Sequence, residues 1–242
     1  MPVLPFAEAS GVQPFLSPKA LELLANLHRQ YLQRVNHSIS GTDLSTLPLY
    51  QLIQKTYQNS LHARLHHYAS QAWNMDFWLQ GLTPAAGYRE PLPALRQAIE
   101  KDFGGWQAFL EQFETSAEAM IASGWTWLVR RPSGKLTIMN TYNGGSPMYV
   151  TMRNPLATKE SPDSGLSAML GLMKTTKPDD ASPNVLTTTG NVNESGPFVP
   201  VLGLNMWEHA WIPDYGLYRE EYIHNFWKCV SWSRVAVILN IY

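Results

Sequence analysis

A single cysteine in 242 residues excludes two kinds of scaffold at once. Cys229 has no partner for an intrachain disulfide, and no cysteine-based zinc site can be assembled within one chain. It sits in an apolar helical stretch and reads as a buried bystander. No run of about 18 apolar residues occurs, so no membrane span is expected. An excess of charge is missing too: 18 Lys and Arg against 19 Asp and Glu leave a net charge of -1. That balance withholds the basic field that gives non-specific nucleic-acid affinity. Gly-x-Ser-x-Gly, phosphate loops and Cys/His pairs are also missing, which argues against nucleophilic and nucleotide chemistry. Residues 1–11 lack the Arg-rich amphipathic pattern of a transit peptide. Either the chain is not imported into an organelle, or the sequence starts after a cleavage point.

What is present is core material. Hydrophobic residues make up 45% of the chain and aromatics 12%, with nine Trp, enough for one large domain or two small ones. Ser17-Pro18 is a helix start, a capping hydroxyl followed by a first-turn proline, and Leu21, Leu24, His28, Tyr31 and Val35 follow at helical spacing. A polar break is expected over residues 36–45, then a helical stretch over 48–81 that is bent or broken midway. Further helices are expected over residues 92–103 and 106–122. The pattern then changes to two β-rich runs, residues 125–130 and 135–140, joined by Arg131-Pro132-Ser133-Gly134 as a hairpin. A third strand is expected over 198–206 and a closing helix over 219–241, with Tyr222, Phe226, Val230 and Ser233 on one face. Residues 155–196 are rich in Ser, Thr, Pro, Asn, Gly and Asp. They read as a flexible surface excursion, with only 166–173 able to form a short helix.

Several segments together, in order, resemble the iron/manganese superoxide dismutase family. Ser123-Gly124-Trp125-Thr126-Trp127-Leu128 with Gly134-Lys135-Leu136 is similar to that family's Gly-Ser-Gly-Trp-x-Trp-Leu hairpin. Trp73-Asn74-Met75-Asp76-Phe77-Trp78 resembles its Trp-Asn-His-x-Phe-x-Trp helix. Asn205-Met206-Trp207-Glu208-His209-Ala210-Trp211, followed by Tyr215 and by Tyr222-Ile223-His224-Asn225-Phe226-Trp227, resembles its Asp-x-Trp-Glu-His-Ala segment and its last helix. The resemblance implies an α+β fold: an N-terminal helical hairpin domain over residues 1–90, then a C-terminal α/β domain over 91–242 with a small antiparallel sheet and the insertion at 155–196.

The family's chemistry needs three imidazoles and one carboxylate around a redox metal. Carried over through the gateway tyrosine, matched by Tyr31, the ligand positions become Leu23, Met75, Asn205 and His209. Only His209 keeps a ligand identity. His28 falls about 100° off the required face if used instead, and no imidazole lies near Met75 in sequence. Gln71 matches the outer-shell glutamine of iron-type enzymes, Gly144 stands where manganese-type enzymes carry theirs, and Trp125, Trp127 and Trp207 match the aromatic shell. Glu208 matches a glutamate that reaches across a two-fold interface, whereas that interface's tyrosine is replaced by Ile212. A separate His62/His66 pair, one helical turn apart, could clamp zinc from one side, but no acidic residue or cysteine nearby completes the shell.

These losses lead to an expectation of no metal cofactor, no catalysis and a structural role. The resemblance extends to dismutase-like proteins of the fungal mitochondrial small ribosomal subunit. The chain is therefore expected to be a metal-free constituent of that subunit in the mitochondrial matrix, contacting mitochondrial ribosomal proteins, with rRNA only at the periphery, and pairing with itself or with a dismutase-like partner. Two other readings stay open: a residual or repurposed Fe/Mn superoxide dismutase, and a free-standing dimeric pseudoenzyme scaffold.

Overall fold

Ser17 starts the first helix for a local reason: its hydroxyl accepts a hydrogen bond from the Ala20 amide at 3.1 Å, capping an otherwise orphaned donor. The computed structural model describes residues 4–149 and 198–241, and in it α1 spans Pro18–Ile39. Asn36, expected to open a polar break, lies inside this helix, and its carbonyl accepts the Ser40 amide that ends it. The next helical stretch is interrupted as expected. Helix α2 (Leu49–Thr56) gives way to a 3-10 turn at Ser60–His62 and then to α3 (Ala63–Gln80). Helices α1 and α3 pack against each other, burying Leu21, Leu24, Ala25 and His28 from one and Ala72, Met75, Trp78 and Leu79 from the other.

Helices α4 (Pro93–Phe103) and α5 (Trp106–Glu118) follow, separated by Gly104 at φ 81° and Gly105 at φ 147°, a turn that side chains bearing a Cβ rarely adopt. Three antiparallel strands come next: β1 (Gly124–Arg130), β2 (Leu136–Tyr142) and β3 (Val199–Asn205), in the spatial order β2-β1-β3. The central strand β1 is buried on both faces from Gly124 to Val129. Pro200 is tolerated because β3 is an edge strand.

Helices α6 (Glu208–Tyr215), α7 (Arg219–Phe226) and α8 (Trp232–Leu239) close the chain. The expected single helix over 219–241 is thus two helices. The reason is tertiary: the Thr83 amide donates to the Cys229 carbonyl and the Ser231 amide to the Gly81 carbonyl, both at 2.8 Å, so this stretch pairs with the end of α3 instead of continuing its own helix. Tyr222, Phe226 and Val230 are buried as expected, whereas Ser233 is exposed. Cys229 is buried and free, and burial pushes its thiol up to about 11.

One hydrophobic core runs from α1 through Trp78, Phe109 and Phe113 to Trp125, Trp127, Tyr222 and Phe226. A smaller cluster of Val35, Leu52, Ile53, Leu65 and Ala69 holds the N-terminal helices together. The architecture is the expected α+β arrangement, helices first and then a small antiparallel sheet flanked by helices. The 155–196 segment and its short helix lie outside the described residues.

Candidate functional site

The sheet places the site. Asn205 ends β3 opposite Trp125 of β1, and Trp125 donates its indole N–H to the Gln71 side-chain oxygen of α3 at 3.0 Å. Gln71 also hydrogen-bonds Tyr31 of α1, a contact that lowers the phenol's pKa against a larger upward push from burial. Tyr31, Gln71 and Trp125 therefore form one hydrogen-bonded chain across three elements. The indole of Trp125 stacks on Trp127 at 5.6 Å and meets Trp78 edge-on at 6.2 Å. Trp127 donates to Thr141 Oγ1 at 2.9 Å, and its ring occupies the space above Gly203, where an added Cβ would come within 2.7 Å.

Asn205 is fully buried. Its side-chain oxygen accepts the Trp207 amide at 3.0 Å, its backbone carbonyl accepts the Tyr222 hydroxyl at 2.6 Å, and its Nδ2 has no protein partner. The Tyr222 phenol, wholly buried, is driven well above its ordinary pKa by desolvation. In the first turn of α6, His209 carries a buried Nε2 that likewise has no protein partner. Burial lowers its pKa to about 4, with the Glu208 carboxylate pulling weakly the other way, so the ring is neutral at neutral pH. Trp207 stacks on His209 at 5.4 Å, and His67 packs edge-on against Trp207 at 6.3 Å. A Cβ added at Gly144 would lie 3.0 Å from His67 Nδ1, so His67 takes up the space a side chain at position 144 would need.

The four positions assigned to ligands are unlike one another. Met75 is 1% exposed, Asn205 fully buried and His209 partly buried, whereas Leu23 is 46% exposed. Together they offer a thioether, a carboxamide, one imidazole and an alkyl group. Iron and manganese favour nitrogen and charged oxygen donors, so this set does not fit either metal. Among the described residues no group of three or more His, Cys, Asp and Glu is placed to hold a metal ion. The His62/His66 pair gains no third such donor, and His66 Nδ1 lies 3.1 Å from Thr56 Oγ1. Glu208, expected at a two-fold interface, is exposed and accepts a short hydrogen bond from the Ser123 hydroxyl of its own chain. That bond is the main cause of its lowered pKa.

Of the residues singled out in the sequence, Tyr31, Gln71 and Trp125 are joined by hydrogen bonds, and Trp207 and His209 by stacking. His67, which packs on Trp207, was not among the residues the sequence pointed to for this site, and its only sequence signal is that it directly follows His66.

A helical N-terminal half, a three-stranded antiparallel sheet and a Trp-Glu-His helix beside that sheet define the class of protein. Residues 91–160 and 168–237 match the family of iron/manganese superoxide dismutases, C-terminal domain. The chain belongs to that family. It is 30% identical to the superoxide dismutase [Fe] of Legionella pneumophila over 234 residues, 96% of this chain and 94% of the relative. Against the superoxide dismutase [Fe] of Bordetella pertussis it is 30% identical over 237 residues, 98% of this chain and 96% of the relative. The Escherichia coli K12 superoxide dismutase [Fe] is also 30% identical, with 98% and 95% covered.

These findings overturn two expectations. The structural role in a mitochondrial ribosome fails, because the near-full-length relatives are named as iron superoxide dismutases. The expectation that the chain is not an enzyme fails with it, since its family is an enzyme family. The physical reason is that both expectations rested on substitutions at single ligand positions, whereas the likeness extends over the whole scaffold.

Proposed function

We propose that this chain is a residual or repurposed Fe/Mn superoxide dismutase. The observation that carries the reading is the retained Tyr31, Gln71 and Trp125 hydrogen-bonded chain within a fold that matches iron superoxide dismutases over nearly its full length. The quartet of Leu23, Met75, Asn205 and His209 does not fit iron, so no redox step is assigned to it. What the surroundings supply is a set of packed indoles at Trp78, Trp125 and Trp127, a neutral imidazole at His209 and the hydrogen-bonded Tyr31, Gln71 and Trp125. Stopped-flow measurement of superoxide decay tests the reading. The expected result is protein-dependent acceleration that is more than about 100-fold below that of an iron relative, because outer-shell changes alone cost 10–100-fold in such sites. Decay indistinguishable from buffer would overturn it.

The same reading includes pairing with a second copy or a dismutase-like partner through the face that carries Glu208. What supports this is an apolar surround: Ile121 is 97% exposed and Ile212 46% exposed. Sedimentation velocity of the purified chain would show a dimer that Ile121→Glu converts to monomer, while a wild-type monomer at micromolar concentration would contradict the pairing.

A further inference from the structure

The surface around the start of α7 carries a groove of about 670 Å³. Its lining combines the apolar or aromatic Trp211, Leu217 and Tyr218 with the carboxylates of Glu118, Glu220 and Glu221. Leu217 is 90% exposed and Tyr218 74% exposed, side chains that cost apolar hydration in the free protein. Among the described residues Arg219 is the one cation in the lining, and its guanidinium donates to the Met120 carbonyl at 2.8 Å and to the Glu118 carbonyl at 2.6 Å. Both acceptors are neutral carbonyls, so Arg219 keeps its charge, and three carboxylates against one guanidinium leave the lining net acidic. Trp211 is only 9% exposed, and its indole N–H is buried with no protein partner, a donor in want of an acceptor.

From this we infer that the groove docks a basic peptide segment of a partner protein, one that lays an apolar side chain beside Leu217 and Tyr218 and sets lysine or arginine against the carboxylates. The charge sign selects this occupant. Three carboxylates repel the phosphates of nucleic acid or an anionic bilayer, whereas a cation over Tyr218 or Trp211 gains both ring and carboxylate attraction. The volume lies within the range of pockets that enclose ligands.

Calorimetric titration of the full chain with a short lysine–leucine peptide, and with its glutamate–leucine counterpart, tests the inference. The expected result is saturable binding of the basic peptide, weakening severalfold between about 0.01 and 0.15 M salt as the Debye length falls from about 30 to about 8 Å, and no binding of the acidic one. E220Q/E221Q and Leu217→Ser should each weaken binding by about tenfold, while Glu22→Gln, an exposed carboxylate on α1, leaves it unchanged. Equal affinity of E220Q/E221Q and wild type would overturn the inference, as would binding of both peptides alike. It also fails if the basic peptide does not bind and Leu217→Ser splits a dimer in sedimentation, for then a second copy fills the groove.

Discussion

At the scale of the residue, Gly203 is held without room for a side chain by the ring of Trp127. An added Cβ there would lie 2.7 and 2.9 Å from two ring carbons of Trp127, and that ring is fixed by its bond to Thr141 and its stack on Trp125. Gly203→Ala is therefore an overpacking change, expected to cost about 1–3 kcal/mol. Urea unfolding checks it, and an unchanged midpoint would mean that the Trp127 ring can yield. The same scale separates what the sequence could convey from what it could not. Trp125, Gln71 and Tyr31 were legible because their identities survive in recognisable motifs. The exposure of Leu23, the Glu208 to Ser123 hydrogen bond and the packing of His67 on Trp207 were not, because each depends on where a side chain lands after the helices dock.

At the scale of the element, Ser17 links two helices. Its hydroxyl caps α1 through the Ala20 amide and donates to Asp214 Oδ1 of α6 at 2.5 Å, while its own amide donates to Asp214 Oδ2 at 2.7 Å. Ser17→Ala removes the cap and leaves half of the Asp214 contact, so a loss of about 1–2 kcal/mol is expected; a thermal midpoint equal to wild type would contradict the double role. The start of α1, the hairpin and the third strand were readable because capping residues, β-rich alternation and a Pro-Ser-Gly turn are local signals. The break between α7 and α8 was not, since it is made by hydrogen bonds from Thr83 and Ser231 across to residues far off in sequence. The ligand positions raise a prediction at this scale too, because they lie on α1, α3 and β3. The triple change L23H/M75H/N205D, which writes the family's donor set back into those elements, should raise the iron content toward about one per chain as measured by plasma emission. Iron content no higher than wild type would show that the scaffold no longer presents those positions to a common point.

At the scale of the whole molecule, acid should unfold the protein before the carboxylates are fully titrated. His28, His66, His67 and His209 all have pKa values lowered by burial, His209 to about 4. A group whose folded pKa is depressed contributes stability above its unfolded value, near 6.5, and loses it as pH falls toward the folded value, because the unfolded chain takes up the proton first. His209 alone accounts for about 2–3 kcal/mol across the window from about 6.5 down to about 4. Asp76, raised by burial, works in the opposite sense and grows costly as pH rises through the carboxylate range. Stability measured by urea should therefore fall steadily between pH 6.5 and 4.5, and a flat profile would contradict the buried, neutral imidazoles.

The central claim is that a dismutase scaffold with an altered donor set retains some action on superoxide. It is tested most directly by measuring superoxide decay and bound metal on one sample of the purified chain. The account predicts decay faster than buffer in proportion to protein concentration, reduced by at least tenfold in Gln71→Ala, which breaks the link between Tyr31 and Trp125. Decay at the uncatalysed rate, in a sample that circular dichroism shows to be folded, would contradict it.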